Sequence, residues 1–213
     1  MNNIKTLFPV ILSVPSYYEK LSVRDRVKFL SKYARQALVV SEQLTVNTKN
    51  IGDFLKTSGN LPKDENGVPL PVNNLYWSVT HKPAYVGGVV SCEPAGLDIE
   101  KIKEYTPGLR KKIADDMEWS LIDPIKPESF FRYWTAKEAV LKVAGVGLSE
   151  LSKCKISGIV DDFHLEISFR NRIWIAEHFY FGDHLASIVK NGYQVKWKKP
   201  EILDDKKMRF SNG

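Results

Sequence analysis

The order of elements in this chain constrains its fold most: a strand, a long helix and several strands occur once, and the same order then returns. The apolar stretch Leu7–Val14, interrupted by Pro9, reads as a first strand. From Leu21 to Leu44 neither Gly nor Pro occurs, and Val27, Leu30, Tyr33, Ala34, Ala37, Leu38 and Leu44 fall on one side of a helix. A loop rich in Pro, Gly, Asn and Asp runs from Gly59 to Asn74. Strands are predicted at Leu75–Thr80, Tyr85–Ser91 and Leu97–Ile102, the first two joined by His81-Lys82-Pro83-Ala84. Helical patterning returns at Leu109–Ile122 and at Ser129–Ala144, the latter ended by Gly145 and Gly147. Strands follow at Phe163–Phe169, Trp174–Phe181 and Ala186–Lys190, with Gly182 and Asn191-Gly192 as turns. The pattern predicts an α+β fold of two similar halves, 1–105 and 106–195, related by pseudo-twofold symmetry, with a site between them and a basic tail over 196–213.

An apolar share of 43% over 213 residues is enough for an ordinary core. The two cysteines, Cys92 and Cys154, form no C-x-x-C pair, so neither a disulfide framework nor a zinc site is expected, and a reducing, cytoplasmic home fits best. The Leu7–Val14 run is far too short to span a bilayer. The net charge is +6, and the segment from Lys190 onward carries seven basic residues against Glu201, Asp204 and Asp205. Most of the excess is therefore tail, read as a solvated end rather than a nucleic-acid or membrane contact.

Two short segments carry the chemistry. In Gly96-Leu97-Asp98-Ile99-Glu100 the two carboxylates stand at i, i+2 and share one face of a strand. In the segment Trp134 to Lys142, the residues Trp134, Glu138 and Lys142 stand at i, i+4, i+8 and share one stripe of a helix. Either pattern alone is ordinary, since strand faces carry acids and Glu138 with Lys142 is a common helical ion pair. If strand and helix pack together, Asp98, Glu100 and Glu138 offer the oxygen ligands a hard cation such as Mg²⁺ wants, beside an ammonium group for phosphate. On the first helix, Arg24, Lys28, Lys32 and Arg35 lie within about a quarter-turn, a solvated face or a phosphate-binding one.

These segments resemble the two signatures of the 4'-phosphopantetheinyl transferases of the Sfp type, G-[IVL]-D-[IVL]-E and [FW]-[CST]-x-K-E-[AS]-x-x-K. Gly96–Glu100 and Trp134–Lys142 fill every fixed position of both. The likeness extends to Leu75–His81, where the family has an aromatic and Asn-x-Ser-His; here Ser78 replaces Asn, Thr80 replaces Ser, and His81 is kept. Where the family has Gly-[KR]-Pro, this chain has Gly67-Val68-Pro69, and valine cannot hold a phosphate. Either Lys63 or Lys82 substitutes, or one contact is missing.

The resemblance implies transfer of the 4'-phosphopantetheine arm of coenzyme A to a serine of an apo acyl or peptidyl carrier protein, with release of adenosine 3',5'-bisphosphate. It implies Asp98, Glu100 and Glu138 as Mg²⁺ ligands and Lys142 as a charge-neutralising group on the phosphate under attack. Glu138 is the implied acceptor of the serine proton, with Glu118 as a second candidate. The coenzyme would be held by Arg35 with Arg24 or Lys28, by Thr80 and His81, by Lys142, and with less weight by Lys82 and Lys137. Two halves that build one site between them predict a monomer. An acidic carrier protein would be drawn to a basic surface.

Other functional classes fit less well. The restriction-type nuclease core wants a Lys two residues after its second acid, and Ile102 stands there. A basic binding module without enzymatic activity leaves the three acids unexplained, and no nucleic-acid-binding signature accompanies the basic helix.

Overall fold

In this computed structural model the residues described are 5–46, 61–190 and 192–199. Most of the basic tail, the start of the Gly59–Asn74 loop and the Asn191 turn position lie outside them.

The chain is α+β. Strands β1 (Thr6–Leu7) and β2 (Val10–Ser13) precede helix α1 (Val23–Val46), after which come β3 (Tyr76–His81), β4 (Tyr85–Ser91) and β5 (Leu97–Lys101). Two short helices, α2 (Pro107–Ile113) and α3 (Asp116–Trp119), lead into α4 (Pro127–Val143). Strands β6 (Lys155–Asp161), β7 (His164–Phe169), β8 (Arg172–Phe181), β9 (His184–Val189) and β10 (Gln194–Val195) complete it. They make a three-stranded sheet β2-β4-β3, a five-stranded sheet β5-β9-β8-β7-β6 and a parallel pair β1-β10.

Three expectations are corrected. The first strand breaks at Pro9, whose ring cannot donate to a ladder, and becomes β1 and β2. The helix expected over Leu109–Ile122 is two, because Thr106 caps one start and Asp115 with Glu118 forms a complete capping box at the next. Strand β6 was not foreseen; its inward positions alternate weakly, with only Ile156 fully buried.

Each long helix lies on one sheet. Helix α1 buries Leu30, Tyr33, Ala34, Ala37 and Leu38 with Val10, Leu12 and Val86, whereas Val27 and Leu44, expected inside, are exposed. Helix α4 buries Phe130, Tyr133, Ala136 and Val140 against Leu165, Ile167, Ala176 and Leu185. A Gly-Gly step in β4 lets the three-stranded sheet take a helix on one face and a strand of the five-stranded sheet on the other, because successive residues of a strand face opposite ways. A Cβ on Gly88 would meet the α1 backbone at Leu38 N, 2.8 Å away, and one on Gly87 would meet Ile99 of β5 at 2.8 Å. Thus α1 presses on one face of β4 and β5 crosses the other.

The tightest approach is between the two signature segments. A Cβ on Gly96 would stand 1.9 Å from the Ala139 carbonyl oxygen and 2.8 Å from Val143 N. Only glycine allows the start of β5 to sit against the α4 backbone. Gly96→Ala should therefore destabilise the protein by about 3 kcal/mol or more or prevent folding, as severe overpacking does, in a thermal or denaturant unfolding measurement. A variant melting within a degree or two of the parent would show that α4 yields easily.

Candidate active site

Helix α4 is almost wholly enclosed. Between Ser129 and Leu141 every residue is buried except Trp134 and Glu138, which with the half-buried Lys142 make the stripe expected from their spacing. The stripe opens where β5 begins. There Asp98, Glu100 and Glu138 each offer an oxygen, and these oxygens lie within 4.8 Å of one another.

Lysine and hydroxyl groups hold the acids. The Lys142 ammonium donates to Asp98 Oδ1 at 2.7 Å and to the Leu97 carbonyl at 2.9 Å. Thr80 on β3 donates its hydroxyl to the same Asp98 Oδ1 at 3.0 Å, and Lys82 donates to Glu100 Oε1 at 2.6 Å. Ser78, whose Oγ accepts from Leu97 N at 3.2 Å, fastens β3 to β5 just upstream. The other Asp98 oxygen, Oδ2, is buried without a hydrogen-bond partner. A buried, unpartnered carboxylate oxygen is costly unless something else satisfies it, and a cation held with Glu100 and Glu138 would do so. The donor set is all oxygen, as a hard divalent ion requires.

Charge crowding marks the cluster. Burial, followed by the neighbouring Asp98 carboxylate, pushes the Glu138 carboxyl up to about 7 against the pull of Lys142 and Lys82. Glu100 is raised too, chiefly by burial, with Lys82 opposing. Burial works against Lys82, but Asp98 and the Glu100 hydrogen bond outweigh it and raise its pKa. His81 is lowered, first by desolvation and then by Lys142, Lys82 and Lys63.

A groove lies on the Lys142 side of this cluster. Two adjoining cavities of about 330 Å³ and 560 Å³ share Gly67, Val68, Pro69, Lys142 and Gly145 in their walls, and Lys63 lines the first. Asp64 shapes the loop by accepting from Asn66 N and Val68 N through one oxygen, while Gly67 takes φ +80. Lys63 faces Pro69 across an isolated bridge. A lysine therefore stands beside the position where valine replaced the expected base.

Two residues expected at the site lie elsewhere. Lys137 is fully buried, its ammonium bound to the Ile113 carbonyl at 2.6 Å and paired with Glu118. Glu118 accepts from Ile156 N at 2.8 Å with one oxygen and from Asp115 N at 3.1 Å with the other. Both are committed to joining α2, α3, α4 and β6, because Lys137 lies about 100° around the helix from Glu138. Thr80 and Lys82, expected on the coenzyme, are spent on Asp98 and Glu100. Arg24 and Lys28 are exposed near the start of α1, and Arg35 is half-buried midway along it. Sequence reasoning passed over Ser187 and His178, although polar residues at inward positions of apolar strands were a readable signal.

Three clustered carboxylates beside ammonium groups are a donor set that could hold a hard cation next to a phosphate. Residues 94–197 match the family described as the 4'-phosphopantetheinyl transferase superfamily. The chain is similar to that superfamily over this segment and resembles its Sfp-type members. It is 27% identical over 145 residues to the 4'-phosphopantetheinyl transferase psf-1 of Bacillus pumilus, covering 62% of this chain and 59% of that protein. It is 31% identical over 117 residues to the 4'-phosphopantetheinyl transferase ffp of Bacillus subtilis, covering 52% and 49%. The chain spans about half the length of the curated relatives it matches. Among the described residues no helix is long and apolar enough to cross a membrane.

Glu138 generates a test. It ionises at about 7 in the folded chain and near 4.5 in an unfolded one, so the folded state holds the extra proton between those values. The stability this contributes is complete below pH 4.5 and is lost as the pH rises through 7. Glu138→Gln removes that loss, so without divalent ions the variant should melt about 2–4 °C above the parent at pH 8, with the gap closing near pH 5. Identical melting curves at pH 8 would contradict the crowding.

Proposed function

We propose that this chain transfers the 4'-phosphopantetheine arm of coenzyme A to a serine hydroxyl of an apo acyl or peptidyl carrier protein and releases adenosine 3',5'-bisphosphate. The observation that carries the reading is the meeting of Asp98, Glu100 and Glu138 beside Lys142, on the segments that bear both family signatures.

Asp98, Glu100 and Glu138 would hold Mg²⁺, which when bound polarises the pyrophosphate of the coenzyme. The serine oxygen bonds to the phosphorus that carries the pantetheine arm, the pyrophosphate P–O bond breaks, and adenosine 3',5'-bisphosphate leaves with the electron pair. Lys142 is placed to meet the negative charge gathering on the phosphate oxygens, and it is already oriented by Asp98 and the Leu97 carbonyl. The serine proton passes to a carboxylate. Glu138, which faces the site beside Asp98 and Glu100, suits that task, whereas both oxygens of Glu118 are occupied in the fold.

The groove between the 63–69 loop and the end of α4 suits the coenzyme, with Lys63 and Lys142 in its wall toward the phosphates; the family resemblance adds His81 as a phosphate contact. Lys63, rather than Lys82, takes the place of the base missing at Val68, since the Lys82 ammonium is held by Glu100. The excess of positive charge in the chain favours encounter with an acidic carrier.

Incubation with coenzyme A, Mg²⁺ and an apo carrier should add one phosphopantetheine to the carrier, read by mass spectrometry. Glu100→Ala and Glu138→Ala should each slow transfer more than ~100-fold while the fold persists. Normal transfer by either variant would remove the metal assignment. Lys63→Ala should raise the coenzyme KM about tenfold with little change in kcat, as expected for losing one charged hydrogen bond. If Lys82→Ala alone raised that KM, the substitution for Val68 would lie with Lys82 instead.

A further inference from the structure

A buried polar row crosses the five-stranded sheet beneath α4. Ser187 on β9 stands directly opposite Asp98 on β5 and directly opposite His178 on β8, so the three side chains share the face that α4 covers. His178, Ser187 and Thr135 of α4 are all buried. Thr135 Oγ1 lies 2.5 Å from Ser187 Oγ, and Ser187 Oγ lies 2.8 Å from His178 Nδ1. Thr135 Oγ1 also lies 2.9 Å from the Phe131 carbonyl oxygen.

The direction of the row follows from what each atom can do. A carbonyl oxygen only accepts, so the Thr135 hydroxyl donates to Phe131 O. Thr135 Oγ1 must then accept from the Ser187 hydroxyl, and Ser187 Oγ must accept from His178 Nδ1–H. The row is a directed chain that starts on β8, passes through β9 and ends on the backbone of α4. Burial depresses the His178 pKa well below its ordinary value, so the imidazole stays neutral with its proton on Nδ1. No other polar link of this kind joins α4 to β8 and β9 among the described residues.

Placement gives the row its use. Thr135 precedes Glu138 by three residues, and Lys142, bound to Leu97 O and Asp98, follows it by four. Glu138 is thus flanked by one polar pin on each side, both fastened to the sheet that carries Asp98 and Glu100. Apolar packing by Phe130, Tyr133 and Val140 and the seating of Gly96 hold α4 on the sheet, and the row adds a directional contact three residues before Glu138. A carboxylate misplaced by about half an ångström is a poor metal ligand, and a hydroxyl pin resists such sliding where methyl groups do not.

We propose that the row Thr135–Ser187–His178 acts as a positioning device that sets Glu138 opposite Asp98 and Glu100 for the cation. This rests on the reading of those three acids as the cation's ligands. None of the row touches the cation itself. Losing an outer partner of this type typically weakens metal affinity by about 10–100-fold.

The test is a Mn²⁺ titration of the whole protein followed by electron paramagnetic resonance, with Mn²⁺ as the oxygen-preferring probe. Thr135→Val keeps the shape and removes the hydroxyl; Thr135→Ser keeps the hydroxyl. The expected result is Mn²⁺ binding at least about tenfold weaker in Thr135→Val and in Ser187→Ala, with Thr135→Ser within about threefold of the parent. A role in stability alone would lower the melting temperature of Thr135→Val and leave Mn²⁺ affinity within twofold of the parent, and that result overturns the proposal. If Ser187→Ala does not fold, the Thr135→Val and Thr135→Ser pair decides. A parent protein that binds no Mn²⁺ overturns both this proposal and the cation reading. Tenfold weakening in a protein that modifies no carrier supports the positioning role and counts only against the transferase reading.

Discussion

The site depends on one close approach, the seating of Gly96 against the backbone of α4 at Ala139 and Val143. No residue with a Cβ fits there, so β5 and α4 meet at backbone distance. That contact brings Asp98 and Glu100, one and two pleats further on, beneath the stripe of Glu138 and Lys142. The glycine of the first signature is therefore a steric requirement, and the acids are the chemical ones. Neither signature alone contains the site, because each contributes one wall.

The electrostatics follow from that meeting. Three acids forced together in a half-buried place would repel, and the chain limits the repulsion internally: Lys142 neutralises Asp98, Lys82 neutralises Glu100, and the third acid, Glu138, has its ionisation pushed up to about 7. Without a cation the cluster is close to neutral. An arriving divalent ion would favour the ionised form of Glu138 and satisfy Asp98 Oδ2, the oxygen left without a partner. Lys82 and Lys142 would then be surplus positive charge beside an ion, a setting that favours a bound pyrophosphate. The same groups thus keep the metal-free fold tolerable and prepare the loaded site.

Legibility in the sequence tracked how local the cause was. Helix α4, its stripe and the i, i+2 pair on β5 were readable, since each depends only on a period of 3.6 or 2. The capping box Asp115–Glu118 was also local, yet the apolar run across it concealed the break between α2 and α3. What depended on a partner distant in sequence was not readable. Lys137 and Glu118 looked like site residues from spacing, but they pair in the interior and join α4 to the segment before it. Val27 and Leu44 fall by spacing on the apolar side of α1 but are exposed. The Gly87-Gly88 step has meaning only once α1 and β5 are known to lie on opposite faces of β4.

That step also explains why the site involves both sheets. Strand β5 pairs with β9 and so belongs to the five-stranded sheet, yet its acids are gripped from the three-stranded one by Thr80 and Lys82, at and just beyond the end of β3. Gly87 permits this by letting β5 lie across β4 without a side chain between them. A cation held by Asp98, Glu100 and Glu138 would itself bond only to β5 and α4. Through Thr80 and Lys82, however, a change in the charge of Asp98 or Glu100 would act on the end of β3, the strand whose first residues line the groove.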